Sequence, residues 1–227
     1  METETATITI ITDRHVNAQP KHVRGFVANR NPNSLLLHQH QGSGTDHKYI
    51  YLYPRVQYRV QGEKVVICAI AEGVGAAIEA TKDLESLYLA GEKYRVVGLD
   101  TIETTSDFQS IESEREYEFR SPWLALSQTN YQRYKQCATT ARQSLLERIL
   151  IGNFLSCAKS LGHHVDSQIV VKTNFRPNCC YVKNQEMLGF VGRFRVNFAF
   201  PEQFGLGHLA SIGFGEVALS SRVGKWK

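Results

Sequence analysis

Apolar and polar positions along the chain recur with periods that divide it into two series of elements. Residues 6–12, ATITIIT, are β-branched and largely alternating, the pattern of a half-buried strand. Residues 21–30 read as a short helix that Asn29, Asn31, Pro32 and Asn33 terminate. Leu35 to Lys48 then runs from apolar residues into a Gly/Ser-rich loop, a place to present side chains from the end of an ordered element. Residues 52–61 and 64–71 predict a hairpin around Gly62-Glu63. Residues 72–90 carry Val74, Ala77, Ile78, Thr81, Leu84 and Leu87 at helical spacing, and residues 94–105 are again strand-like. The order β, α, β, β, α, β predicts a ferredoxin-like domain over residues 1–105. Residues 106–116 are polar and acidic and read as a linker.

A second cycle occupies residues 117–227. A strand is predicted over 117–123 and one long helix over 131–161, with Leu145, Leu146, Ile149, Leu150, Phe154 and Ala158 on its apolar stripe and Gly162 as its stop. Strands are predicted over 168–175, 187–200 and 213–219. The fold class expected is therefore α+β, two tandem ferredoxin-like domains.

Composition narrows the function classes. With 42% hydrophobic residues, 21% charged, 17 Gly and 6 Pro, the 227-residue chain is neither disordered nor fibrous. Cys68, Cys137, Cys157, Cys179 and Cys180 are odd in number and read as buried thiols in a reducing compartment. The start lacks a basic segment followed by an apolar one, and the longest apolar run, Val65 to Ala71, is far below the ~18 residues of a membrane span. A soluble, cytoplasmic protein that engages no membrane is the expectation. The net charge of +4 says little, but its distribution says more: residues 1–78 carry +2, residues 79–118 carry −7 and residues 119–227 carry +9. Such a split suits a molecule with one face that repels polyanions and another that attracts them.

The most specific motif is Gly205-Leu206-Gly207-His208-Leu209-Ala210-Ser211-Ile212-Gly213-Phe214-Gly215. Glycines at these offsets allow sharp turns with positive φ, and successive free amides in such turns would bind an anion; a loop that merely joins two strands reads equally well. Gly205 to Ala210 also satisfies the dinucleotide-binding glycine pattern, but the 17 residues that follow cannot hold the helix, strand and acidic residue that pattern requires.

The two Gly-apolar-Gly pairs separated by five residues resemble the C-terminal signature of the CRISPR repeat-processing endoribonucleases of the repeat-associated mysterious protein superfamily. Co-linear matches include Val23-Arg24-Gly25-Phe26, Leu36-Leu37-His38-Gln39-His40, Tyr53-Pro54-Arg55-Val56-Gln57-Tyr58, Glu72-Gly73, the stretches 121–128 and 146–153, and Met187-Leu188-Gly189-Phe190. They are similar to the variant subgroup with a Leu-Leu-His-x-His motif. The resemblance implies two ferredoxin-like domains and a metal-independent RNase, without cofactor, that cuts each repeat of a CRISPR precursor transcript to leave guide RNAs with 2′,3′-cyclic phosphate and 5′-hydroxyl ends. One departure stands out: many relatives carry Lys or Arg between the glycine pairs, whereas HLASI offers only His208.

RNA is cut without metal when its own 2′-hydroxyl attacks the neighbouring phosphate, which requires a proton acceptor, a proton donor and positive charge. Histidine serves both proton transfers because its ordinary pKa is ~6.5. If residues 38–40 are extended, His38 and His40 project to one face; a histidine satisfying a turn is the alternative on residues alone. The resemblance favours His40 and His38 as the catalytic pair, in either role. Asp46 and His47 lie nearby, but no second ligand pair at metal-binding spacing accompanies them, and no metal is expected.

Lys48 or Arg24 would supply charge at the phosphate. Arg193 and Arg195 share one face of a strand and, with Gly205, Gly207, His208, Gly213 and Gly215, are the candidates for gripping CRISPR repeat RNA. Lys172, Arg176 and Lys183 flank the preceding strand, and Tyr49, Tyr51 and Tyr53 are candidates for stacking an unpaired base. The competing function is a noncatalytic repeat-binding subunit among other subunits of a CRISPR effector complex; a phosphate-binding metabolic protein is a third. Neither a monomer nor a homodimer is favoured.

Overall fold

The computed structural model describes residues 1–38, 40–41, 48–49, 52–182 and 185–221, arranged in two units. The N-terminal unit is Glu2–Ser106 together with Ser211–Gly213. Its elements are β1 (Glu2–Thr12), α1 (Pro20–Arg30), a short α2 (Leu35–His38), β2 (His40–Gln41), β3 (Lys48–Tyr49), β4 (Val56–Gln61), β5 (Lys64–Ile70), α3 (Gly73–Thr81), β6 (Ser86–Leu89) and β7 (Glu92–Asp107). The sheet order β4-β5-β1-β7-β6 contains the ferredoxin-like order, with β6 added at one edge. β1 runs antiparallel to β5 and β5 antiparallel to β4, so Ala6, Ile8 and Ile10 share a face with Val65, Ile67 and Tyr58. Val23 and Val27 of α1 and Val74 and Ala77 of α3 close over that face, each buried to at least 95%. Full burial of each such aliphatic side chain contributes about 1.5–3 kcal/mol relative to exposure.

The helix expected over 72–90 stops at Thr81. Thr81 turns its hydroxyl back onto the Ala77 and Ile78 carbonyls, Lys82 is extended and Asp83 has φ +53°. Leu87 and Leu89 then alternate into the core as β6, and Ala90 and Gly91, at φ +53° and +88°, make the tight turn into β7. The leucines fit either period, and the paired positive-φ turn decides between them.

The C-terminal unit holds Asp107–Ala210 and the residues from Phe214 onward, with Met1. It comprises β8 (Gln109–Trp123), α4 (Gln128–Gln136), α5 (Thr139–Ser160), β9 (Val171–Val182), β10 (Gln185–Ala199) and β11 (Val217–Leu219). Residues 106–116 are therefore not a linker. β7 runs to Asp107, β8 begins at Gln109, and the residue between them, Phe108, is fully buried. The long helix predicted over 131–161 is two helices, broken where Cys137 and Ala138 adopt extended backbone. Ser127 caps α4, its hydroxyl accepting from the Asn130 amide. Gly162, at φ +71°, closes α5: its own amide and that of His163 return to Lys159 and Ala158.

The sheet order β11-β8-β10-β9 again is ferredoxin-like. β10 and β11 lie on opposite sides of β8, so residues 200–216 must cross from one side of that strand to the other. In the N-terminal unit the equivalent crossing, from β5 to β7, carries α3. Here the glycine-rich segment makes it. The core beneath is aromatic: Tyr117, Phe119 and Trp123 of β8 pack with Phe154 of α5 and Phe190, Phe194 and Phe198 of β10.

All five cysteines are free thiols; Cys68 and Cys157 are buried, while Cys179 is exposed. Among the described residues, no helix is long and apolar enough to cross a membrane.

Candidate active site

The glycine-rich segment is shaped by contacts that exclude side chains. Gly207 has φ +85°, and a Cβ there would lie 2.6 Å from the indole nitrogen of Trp123, which donates to Asn153 Oδ1 at 3.0 Å. Gly215 has φ +65°, and its Cβ would lie 2.1 Å from the Leu206 carbonyl oxygen. Gly205 differs, entering a bridge with Glu216. The amides of Leu206, His208, Phe214 and Gly215 donate to the carbonyls of Gly215, Leu124, Leu209 and Pro122. A nest of free amides at the two glycine pairs is thus not what forms, because a buried backbone donor is taken up by the nearest carbonyl. His208 remains exposed. The tip, Ser211–Gly213, belongs to the N-terminal unit, where a Cβ added to Gly213 would meet Tyr58 O at 3.4 Å and the Pro20 ring at 3.8 Å.

Arg24, on α1, is half-buried and donates to Ser211 Oγ at 3.2 Å. Burial draws its guanidinium below the ordinary arginine value, with Tyr58 acting in the opposite sense. The charge expected at a phosphate is here directed at the tip of the glycine-rich segment.

Arg193 and Arg195 do share one face, as their spacing predicts, and both hold Glu116: Nη1 of Arg193 reaches one carboxylate oxygen at 2.8 Å and Nε of Arg195 the other at 2.9 Å. Three charges thus leave a net +1 on a patch whose side chains are 24%, 38% and 16% exposed for Arg193, Arg195 and Glu116. Lys172 likewise meets Glu114 at 3.3 Å. The acidic and basic stretches, separate in sequence, are neighbouring strands in space, so opposite charges sit across the ladder and partly cancel. Glu116 escaped the sequence reading; Glu112, Glu114, Glu116 and Glu118 recur every second residue, which is the strand period that would have revealed it.

The histidine-bearing segment lies in the N-terminal unit. His38 ends α2 and His40 opens β2, which pairs with β3 as His40 to Tyr49 and Gln41 to Lys48. The shared face expected of His38 and His40 falls on side chains outside the described residues. The side chains of His38, His40, Lys48 and Tyr49 lie outside what the structure describes, as do Asp46, His47, Tyr51 and Lys183 altogether.

Both flanks of this segment are tied to β4. On the leading side, the buried Tyr58 hydroxyl donates to the Leu37 carbonyl at 3.2 Å. On the trailing side, Gln57 donates to the Tyr53 hydroxyl at 3.0 Å and Arg55 to the Tyr53 carbonyl at 3.2 Å. Arg55, itself buried, pairs with Glu72 at 2.7 Å, and a Cβ on Gly73 would fall 2.5 Å from the Arg55 carbonyl oxygen. The Arg55 hydrogen bond, followed by Glu72's own backbone, holds the Glu72 carboxyl below the ordinary carboxylate value. A depressed folded-state value means that this contribution to stability is complete above the unfolded value and is lost as pH falls through the folded one. Glu72→Gln is therefore expected to flatten the acid side of the stability curve, below the ordinary carboxylate pKa. Urea melts of both forms across that range check it; identical acid limbs would contradict it.

Other histidines have structural work. His22 Nδ1 accepts from the Gln19 amide at the start of α1, and the His163 ring packs edge-on to Phe108 at 5.8 Å.

Two family models match this chain, the Cas6b N-terminal domain over residues 1–107 and the Cas6b C-terminal domain over residues 109–219. The chain belongs to the Cas6b family. The junction between the two family domains falls at Phe108, where β7 passes into β8. A crystal structure of Cas6b matches at 28% identity with a TM-score of 0.85, over 97% of this chain and 100% of that one. A second, titled CRISPR RNA processing endoribonuclease Cas6b, matches at 27% identity with a TM-score of 0.73 over the same shares. An uncharacterized protein of Methanocaldococcus jannaschii is 36% identical over 140 residues, which are 61% of this chain and 95% of that protein. A CRISPR associated protein Cas6, 13% identical with a TM-score of 0.55, shares the tandem ferredoxin-like fold.

Proposed function

We propose that this Cas6b-family protein is an endoribonuclease that cuts CRISPR precursor transcripts within each repeat, without metal, leaving mature guide RNAs. The observation that carries the reading is the co-linear match of both Cas6b domain models through nearly the whole chain, supported by a likeness along 97% of it to a protein titled CRISPR RNA processing endoribonuclease. The chemistry assigned to the chain is proton transfer. One of His40 and His38 accepts the proton of the RNA 2′-hydroxyl, whose oxygen then attacks the adjacent phosphorus. As the bond from phosphorus to the 5′-oxygen breaks, the other histidine, protonated, donates to that oxygen. The products are a 2′,3′-cyclic phosphate and a 5′-hydroxyl.

Lys48, adjacent in the ladder to the His40 pair, is assigned to the charge that develops on phosphorus. The repeat is assigned mainly to the C-terminal unit, on the face of Arg193 and Arg195 and on His208 with Gly205, Gly207 and Gly215, and to Gly213 of the tip that belongs to the N-terminal unit. An A-form stem is held through phosphates, 2′-hydroxyls and shape, for which a patch of modest net charge suffices when combined with fixed geometry. Synthetic repeat RNA incubated with the protein in EDTA is expected to be cut at one position. Tight binding with no cut at any pH would instead make the protein a repeat-binding subunit of an effector complex.

A further inference from the structure

We propose that Tyr58 is a positioning residue for the histidine chemistry: its buried hydroxyl fixes the carbonyl that precedes His38 and so sets where the histidine-bearing segment leaves the core. The inference rests on the function proposed above. It is argued from five observations on the N-terminal unit. Tyr58 is fully buried in the middle of β4, facing Ile67 of β5, so its ring is fixed by the core. Its hydroxyl donates to the Leu37 carbonyl at 3.2 Å. That carbonyl is in the last turn of the four-residue α2, and the phenol supplies it with a donor. Leu37 is itself 2% exposed, so its side chain and its carbonyl are both held. On the far side of the segment, Tyr53 is held by Gln57 and Arg55 of the same stretch of chain.

Leu37 before His38 and Tyr53 after Lys48 are thus both tied to the stretch Arg55–Tyr58. A histidine that must meet both a 2′-hydroxyl and a phosphate tolerates little displacement, and misplacement of about 1 Å costs as much as ~10²-fold in rate. Tyr58 touches neither RNA nor imidazole in this account. It acts by fixing the backbone from which His38 departs. The position of Arg24 fits the same frame, since the guanidinium beside Tyr58 also holds the glycine tip through Ser211.

The test is Tyr58→Phe against Tyr94→Phe. Tyr94 is as deeply buried in the same core; its hydroxyl accepts from the Asn17 amide and donates to Glu92, each at 3.1 Å, and both partners lie outside the histidine segment. Single-turnover cleavage of repeat RNA, the dissociation constant for the repeat and the melting temperature are measured for both variants. Tyr58→Phe is expected to slow cleavage by about 10- to 100-fold with repeat affinity unchanged. Tyr94→Phe is expected to lower the melting temperature at least as much while cleaving at the wild-type rate. Wild-type cleavage by Tyr58→Phe, or equal slowing by both variants, would overturn the assignment. A wild-type protein that binds but does not cut would instead overturn the function on which it rests.

Discussion

His40→Ala is expected to slow single-turnover cleavage of repeat RNA by about 10²–10⁴-fold, the range lost when one positioned acid or base is removed. Repeat affinity should be unchanged, because His40 is not among the residues assigned to grip. His38→Ala should cause a loss of the same kind. The double variant should be little worse than the more severe single one, since groups that act in one proton-transfer sequence are not additive. Rapid-quench measurement of the three variants checks this, with gel-shift titration alongside. Full cleavage by the double variant would remove both histidines from the chemistry and leave the family assignment intact.

The second large effect is on stability. Gly215→Ala should destabilise the protein by about 3 kcal/mol or more, in the class of changes that combine positive-φ strain with a backbone clash. The new methyl group would sit 2.1 Å from the Leu206 carbonyl oxygen, and that residue's amide is already bonded to Gly215 O at 2.9 Å. Neither side is a flexible side chain that can swing away. At roughly 2–4 °C per kcal/mol for a chain of this length, the melting temperature should fall by about 6–12 °C. Gly152→Ala is the control. It lies within α5 with nothing near its missing Cβ, and alanine there should stabilise by roughly 0.5–1 kcal/mol. A Gly215→Ala protein that melts with the wild type would contradict the close approach described for the segment.

These expectations show which physical information resides in the order of residues. The two ferredoxin-like cycles follow from periodicity, because β1 and β10 bury alternate residues over much of their length and α5 buries a continuous stripe. The strand over 109–116 was hidden for the opposite reason: Glu112, Ser113 and Glu114 are all exposed, and a strand without a buried face leaves no hydrophobic period. The break between α4 and α5, where Cys137 and Ala138 are extended, has no Gly or Pro to announce it. The leucines before Ala90 and Gly91 fit either period, and only the positive φ values of that turn decide for a strand.

The candidate site divides in the same way. The glycine offsets are plain in the sequence, but their cause is Trp123 and Leu206, residues far away or on the opposite limb, which no local pattern reveals. Arg193 and Arg195 were placed on one face by their spacing alone. Their shared acceptor, Glu116, lies 77 and 79 residues away along the chain and became visible only with the strand register. The same holds for Tyr58, Arg55 and Glu72, which read as members of a conventional hairpin and helix start and turn out to secure the segment that carries the histidines.

The central claim is that this chain cuts RNA with the RNA's own 2′-hydroxyl and two histidines. Mapping the ends of the products formed from a synthetic repeat in EDTA tests it most directly. The account predicts a 5′-hydroxyl on the downstream fragment and a 2′,3′-cyclic phosphate on the upstream one. A 5′-phosphate paired with a free 3′-hydroxyl would mean that water attacked the phosphate, and would contradict it.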